Sequence, residues 1–131
     1  VLIFPETFGD VVVTAVMDLS DFEGTFGLGH HIQSASEGVF FTMSSGGGAE
    51  LIRRSVDGDK QLGVASIEWS GLPGTTLRTS VAGRHLKGQI GELTVVHGHE
   101  SSGDEGAVGL LLDGEGVVEF QRITVEPVSG K

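Results

Sequence analysis

The sequence predicts an all-β domain built as a two-sheet antiparallel β-sandwich. Three observations carry this. No stretch shows an apolar stripe at helical spacing; short runs rich in Val, Ile, Thr and Phe alternate instead with clusters of Gly, Ser and Asp. Glycine supplies 22 of the 131 residues, a composition suited to many turns and close backbone approaches. About ten short strands in one domain are also too many for a single flat sheet, so two packed layers are expected, with a closed barrel as the alternative.

Taken in order, residues 2–4 read as an edge strand stopped by Pro5. Residues 10–19 form the clearest strand: Val11, Val13, Ala15, Met17 and Leu19 share one face, and Val12, Thr14, Val16 and Asp18 share the other. Both faces are partly apolar, which suits a central strand. Residues 25–32 place Phe26, Leu28, His30 and Ile32 on one face. Residues 38–44 and 50–56 flank Ser44-Ser45-Gly46-Gly47-Gly48 and read as a hairpin; Asp57-Gly58-Asp59 is a second turn. Strands are then expected over 61–69, 75–82, 84–90, 92–97 and 107–112. After a turn at Asp113-Gly114-Glu115-Gly116, the last strand covers 117–125. It contains a parity change. Val118 and Phe120 are even, Ile123 and Val125 odd, so strict alternation cannot put all four on one face. An extra residue near Gln121-Arg122, a β-bulge, resolves the conflict.

Composition narrows the function classes. There are 8 Lys and Arg against 18 Asp and Glu, a net charge of −10. Such a surface repels phosphate backbones and anionic membranes, so neither nucleic acid nor membrane insertion is expected. The absence of Cys removes disulfides, thiol catalysis and Cys-zinc sites. No apolar run approaches bilayer length. The chain opens on Val1-Leu2-Ile3-Phe4 with neither an initiator Met nor a signal-peptide pattern, which reads as an entry into folded structure, with the natural N-terminus upstream or removed.

Several segments resemble a known family. Phe8-Gly9-Asp10-Val11-Val12-Val13 resembles the opening F-G-D-hydrophobic strand of the concanavalin A-like lectin/glucanase jelly rolls. Residues Thr76 to Gly88 resemble their hairpin with L-R-x-x-V-x-G-x-x-hydrophobic. Gly106-Ala107-Val108-Gly109-Leu110 followed by Val118 to Val125 resembles the closing pair. Order and spacing look most like the bacterial 3-keto-disaccharide hydrolase-like branch, over residues 8–126 of a single domain spanning 1–131. The resemblance implies a jelly-roll sandwich that binds or processes carbohydrate, extracellular or periplasmic, and often part of a larger protein. Two departures stand out. The glucanase E-x-D-x-x-E segment is missing, and where many members carry a Trp before the L-R-x-x-V strand this chain has Thr75-Thr76.

The candidate site residues are few. His97-Gly98-His99 is an H-x-H pair; in extended structure its imidazoles lie on one side, about 7 Å apart at Cα, a spacing that serves a metal or a sugar. His30 and His31 are adjacent, so extended geometry sends their rings to opposite faces. A site uniting His31 or His30 with His97, His99 and Glu100 would have metal-ligand chemistry, against the plainer reading of surface or loop-edge histidines. Trp69 is the one Trp and the natural sugar platform, although a buried Trp accounts for it equally. Arg53 and Arg54 take opposite faces, so one of them, with Arg78, could bond hydroxyls. Phe26, Phe41 and Phe120 read as core, and Glu119 as solvent-facing. Asp57-Gly58-Asp59, Asp104-Glu105 and Asp113-Gly114-Glu115 could supply oxygens to calcium, but none matches an EF-hand loop. No catalytic set is identified, and no cofactor is evident apart from possible calcium.

Three readings follow. The first is a non-catalytic carbohydrate-recognition module. The second is a glycoside-hydrolase-like enzyme using His and Glu. The third is a structural subunit that assembles through edge strands, with Val1 to Phe4 as the strand to donate.

Overall fold

The computed structural model describes residues 2–34, 36–45, 47–66, 75–82, 85–90, 93–99 and 106–127. Among these it contains nine strands and no helix: β1 (Leu2–Phe8), β2 (Val11–Ser34), β3 (Glu37–Ser44), β4 (Gly48–Ser55), β5 (Gly58–Ser66), β6 (Thr75–Ala82), β7 (His85–Ile90), β8 (Leu93–His99) and β9 (Gly106–Pro127). All pairings are antiparallel.

Two long strands organise the rest. β2 and β9 pair with each other from Val11↔Pro127 to Ile32↔Ala107, and each passes through both layers. The first half of β2 pairs with β6, which continues to β7 and β8. Its second half pairs with β3, which continues to β4 and β5. One sheet is therefore β5-β4-β3, the second half of β2, the first half of β9, then β1. The other is β8-β7-β6, the first half of β2, then the second half of β9. The result is the β-sandwich the sequence predicts.

The core fills the space between these layers. Val11, Val13, Ala15 and Met17 of β2 meet Phe41 and Met43 of β3, Leu51 of β4, Leu77 and Val81 of β6, Leu86 of β7 and Val96 of β8. The alternation read for residues 11–17 is thus the observed inward face. Facing residues are graded in size: a Cβ at Gly88 of β7 would run into the Phe41 ring of β3. The missing side chain is what lets a phenyl ring from one sheet reach the backbone of the other.

Where both long strands turn from one sheet into the other, the pairing register slips between Asp18 and Asp21. Gly24 (φ 143°) and Gly116 (φ 115°) sit at this corner in conformations that L side chains rarely adopt. A Cβ on Gly116 would collide with the Asp21 carbonyl, and one on Gly24 with the Asp113 carbonyl. The Gly24 amide donates to Ser45 Oγ at 3.0 Å, and the Ser45 amide donates to the Gly24 carbonyl at 2.8 Å, pinning the corner to the β3–β4 turn.

The bulge expected near Gln121 is present. Val16 pairs with Arg122 and Met17 with Phe120, leaving Gln121 as the extra residue. Val118, Ile123 and Val125 accordingly all pack against the core. Four expectations need correction. Pro5 does not end β1, which runs on to Phe8 with an irregularity between Ile3 and Thr7; an edge strand tolerates a residue without an amide hydrogen. Residues 10–19 and 25–32 are one strand, and so are 107–112 and 117–125. The Gly and Asp cluster at 113–116 is the corner of a continuous strand and not a turn, because β2 pairs with it across the bend. Phe120 stays 37% exposed, with its ring 6.0 Å from that of Phe26.

The corner geometry yields a stability test. Gly116→Ala is expected to lower unfolding free energy by about 1–3 kcal/mol through forced backbone strain and the carbonyl clash. Gly48→Ala, with no heavy atom within 4 Å of the added Cβ, is expected to change it by less than about 0.5 kcal/mol. Urea unfolding of both variants checks the contrast; equal effects would show that the corner does not depend on Gly116.

Candidate functional site

The sandwich is closed along one side and open along the other. On the closed side β5 and β8 pack backbone to backbone: a Cβ at Gly63 would lie 3.4 Å from the His97 carbonyl, and one at Gly98 3.2 Å from that of Leu62. On the other side β1 edges one sheet and the second half of β9 edges the other; these two stretches do not pair with each other. The gap between them is a cleft of about 550 Å³.

Strand alternation explains its lining. Phe4, Glu6 and Phe8 point into it from β1, and Ile123, Val125 and Pro127 from β9, with Val108 at its base. The Gln121 bulge is what gives the odd-numbered residues this direction. Phe4 and Phe8 also pack on the core, whereas Glu6 is exposed and is the one charged residue of the lining. Two phenyl faces, an aliphatic wall and a carboxylate form a surface that can stack an apolar face of a ligand and accept hydrogen bonds from its hydroxyls. Sequence reasoning missed this cleft. The signal was the Phe4, Glu6, Phe8 alternation, hidden by ending the strand at Pro5.

The sequence-derived candidates are dispersed. His31 takes φ 52°, a left-handed conformation that breaks the β2 register between Gly29 and Ile32. The two rings consequently do not diverge: His30 Nδ1 and His31 Nδ1 share a hydrogen bond of 2.9 Å, and the rings meet edge to face. This corrects the expectation of opposite faces. A Cβ on Gly106 of β9 would strike the His31 backbone, so the kinked segment is held tightly from the neighbouring strand. His30 is fully buried, and its Nε2 has no hydrogen-bond partner among the described residues.

Arg53 joins this group from β4. Its register neighbour Val39 is the residue opposite His30, so the three lie in a row across the sheet. Arg54 takes the other face, as alternation requires, with its guanidinium 5.3 Å from the Phe40 ring centroid. Arg78 Nε donates to Thr14 Oγ1 at 3.2 Å, across the β2–β6 pair. Burial, then the neighbouring His31 and Arg53, lower the pKa of His30 from 6.5 to about 3.

His97 lies on β8 in the other sheet, exposed, with its ring stacked on that of His85 at 5.8 Å between centroids. The backbone of His99 stands opposite His85. Trp69, Glu100 and Asp104-Glu105 lie outside the described residues. Of the acidic segments considered for calcium, Asp57-Gly58-Asp59 sits at the β4–β5 turn, where Ser55 Oγ donates to the Gly58 carbonyl at 2.9 Å. Asp113-Gly114-Glu115 pairs with Glu23, Gly24 and Thr25. Glu119 is exposed, as expected. Among the described residues no three His, Asp or Glu side chains gather as a metal centre, and no helix is long and apolar enough to cross a membrane.

Comparison with known proteins supports the architecture. No protein-family model matches the chain. No curated protein sequence matches it either. Among solved structures, the carbohydrate binding module CBM66 from Bacillus subtilis superposes with a TM-score of 0.78 at 16% identity, covering 92% of this chain and 77% of that one. At that identity the likeness is one of fold.

The buried histidine gives a pH test. Folded His30 stays neutral down to about pH 3, whereas the unfolded chain protonates it below about pH 6.5. The unfolded state then binds the extra proton, so this contribution is complete above about pH 7 and is lost as pH falls from 6.5 towards 3. Its size is of the order of a few kcal/mol. Unfolding free energies measured between pH 7 and 4 should fall more steeply in the native chain than in His30→Leu. Parallel slopes would show that His30 is not the titrating group.

Proposed function

We propose that this chain is a non-catalytic carbohydrate-recognition module whose ligand occupies the cleft between β1 and the second half of β9. The observation that carries the class is the likeness, over 92% of the chain, to a structure titled as a carbohydrate binding module. A shared fold does not by itself set function; the cleft adds the chemistry. A pyranose or furanose ring offers C–H faces to Phe4 and Phe8 and hydroxyl donors to Glu6. The resemblance of the sequence to the 3-keto-disaccharide hydrolase-like branch points to the same substrate class. An extracellular or periplasmic setting fits this reading, since complex glycans are met there.

A glycan-array screen tests the proposal with the native chain, with and without calcium or zinc. Binding is expected, weakened about tenfold or more in Phe8→Ala and in Glu6→Gln. Loss in Trp69→Ala or His97→Ala, with the cleft variants unaffected, would move the site to those residues. Dependence on calcium would bring in the acidic segments. No binding under any condition would overturn the recognition reading.

Edge strand β1 favours a second reading, assembly through strand addition. Leu2 and Ile3 are 57% and 39% exposed, and among the described residues β1 pairs on one side only. Sedimentation should then show concentration-dependent association that disappears when residues 1–4 are deleted. A monomer at all concentrations would exclude it.

A further inference from the structure

The exposed histidines of the second sheet form an arrangement that lies outside the lining of the cleft. β7 and β8 are adjacent antiparallel strands, with Lys87 opposite His97 and His85 opposite the His99 backbone. His85 and His97 are therefore diagonal neighbours, close enough for long side chains to touch. Leu86 and Gly88 turn inward, Gly88 against Phe41, so His85 and Lys87 take the outer face, where His97 is also exposed. The two imidazoles lie 5.8 Å apart between centroids and 16° from parallel.

We propose that His85 and His97 together bind a divalent transition metal of the zinc, nickel and copper class on the outer face of the second sheet. Imidazole nitrogen suits these ions. A metal–nitrogen bond of about 2.0–2.1 Å, added to a ring radius of about 1.1 Å, places two rings on one ion about 5 Å apart at a tetrahedral angle. The observed separation of 5.8 Å is wider by less than about 1 Å, so a small approach of the two rings is needed. In the stacked arrangement the in-plane lone pairs do not converge, so binding requires rotation of the rings. The torsion beyond Cβ is broad, and exposed side chains reorient in picoseconds to nanoseconds.

The strand pair fixes the distance between the two attachment points, so little backbone order has to be created on binding. The net charge of −10 raises the cation concentration near the surface. Lys87, opposite His97, opposes it locally. Calcium and magnesium, which prefer oxygen ligands, are not bound here.

The test uses the untagged chain without glycan, so its outcome is separate from that of the recognition screen. Zinc and nickel are titrated calorimetrically, with the histidine ring protons followed by NMR. His85 and His97 resonances should shift or broaden while those of His30 and His31 hold still. Affinity should drop about tenfold or more in His85→Ala and equally in His97→Ala, and rise in Lys87→Gln. Unchanged thermal unfolding in the three exposed-site variants guards against misfolding. Affinity preserved in either histidine variant, or calcium competing with zinc, would overturn the two-imidazole site.

Discussion

The pairing of β2 with β9 around a corner is the constraint on which the rest of the molecule depends. Each sheet borrows half of both strands, so neither layer exists without the same two segments. A sandwich assembled in this way needs a sharp bend at matched places in two partners. The bend is supplied by Gly24 and Gly116, whose backbones approach carbonyls of the opposite strand more closely than any side chain allows. The hydrogen bonds between Gly24 and Ser45 then fix the angle at which the β3–β4 hairpin leaves the bend. Downstream of it, one inserted residue, Gln121, decides which side chains reach the core and which line the cleft.

Much of this was legible in the sequence. The parity conflict between Val118, Phe120, Ile123 and Val125 located the bulge because a side-chain period of two leaves no other way to bury most of them. The inward face of residues 11–17 followed from the same rule. The continuity of β2 and β9 was not legible. Gly, Asp and Glu at a corner look the same as Gly, Asp and Glu at a turn, and only the partner strand distinguishes them. His30 and His31 escaped for a related reason: alternation presumes extended backbone, and His31 leaves it.

The candidate surfaces differ in how they arise. The cleft is a property of topology, formed where two edge strands from different layers fail to meet. No local motif announces it, and its residues come from opposite ends of the described chain. The stacked imidazoles are a property of register, since one diagonal step across β7 and β8 brings His85 to His97. The pair formed by His30 and His31 belongs to the interior. Burial holds the His30 imidazole well below its ordinary pKa, so its titration bears on stability. Sequence reasoning weighed a single site uniting His31 with His97, whereas the structure places His31 in the interior and His97 on the outer face of the other sheet.

The open seam also bears on how the molecule forms. Its walls come from β1 and β9, which are separated by nearly the whole length of the folded chain. Pairing such distant segments requires closure of a long loop, whose entropic penalty must be met before the contacts that reward it exist. The two neighbouring hairpins, β3–β4 and β6–β7, need only short closures. On this entropic argument the hairpins are expected to form before the seam, so a partly folded chain would carry a substantial amount of strand before it carried the cleft.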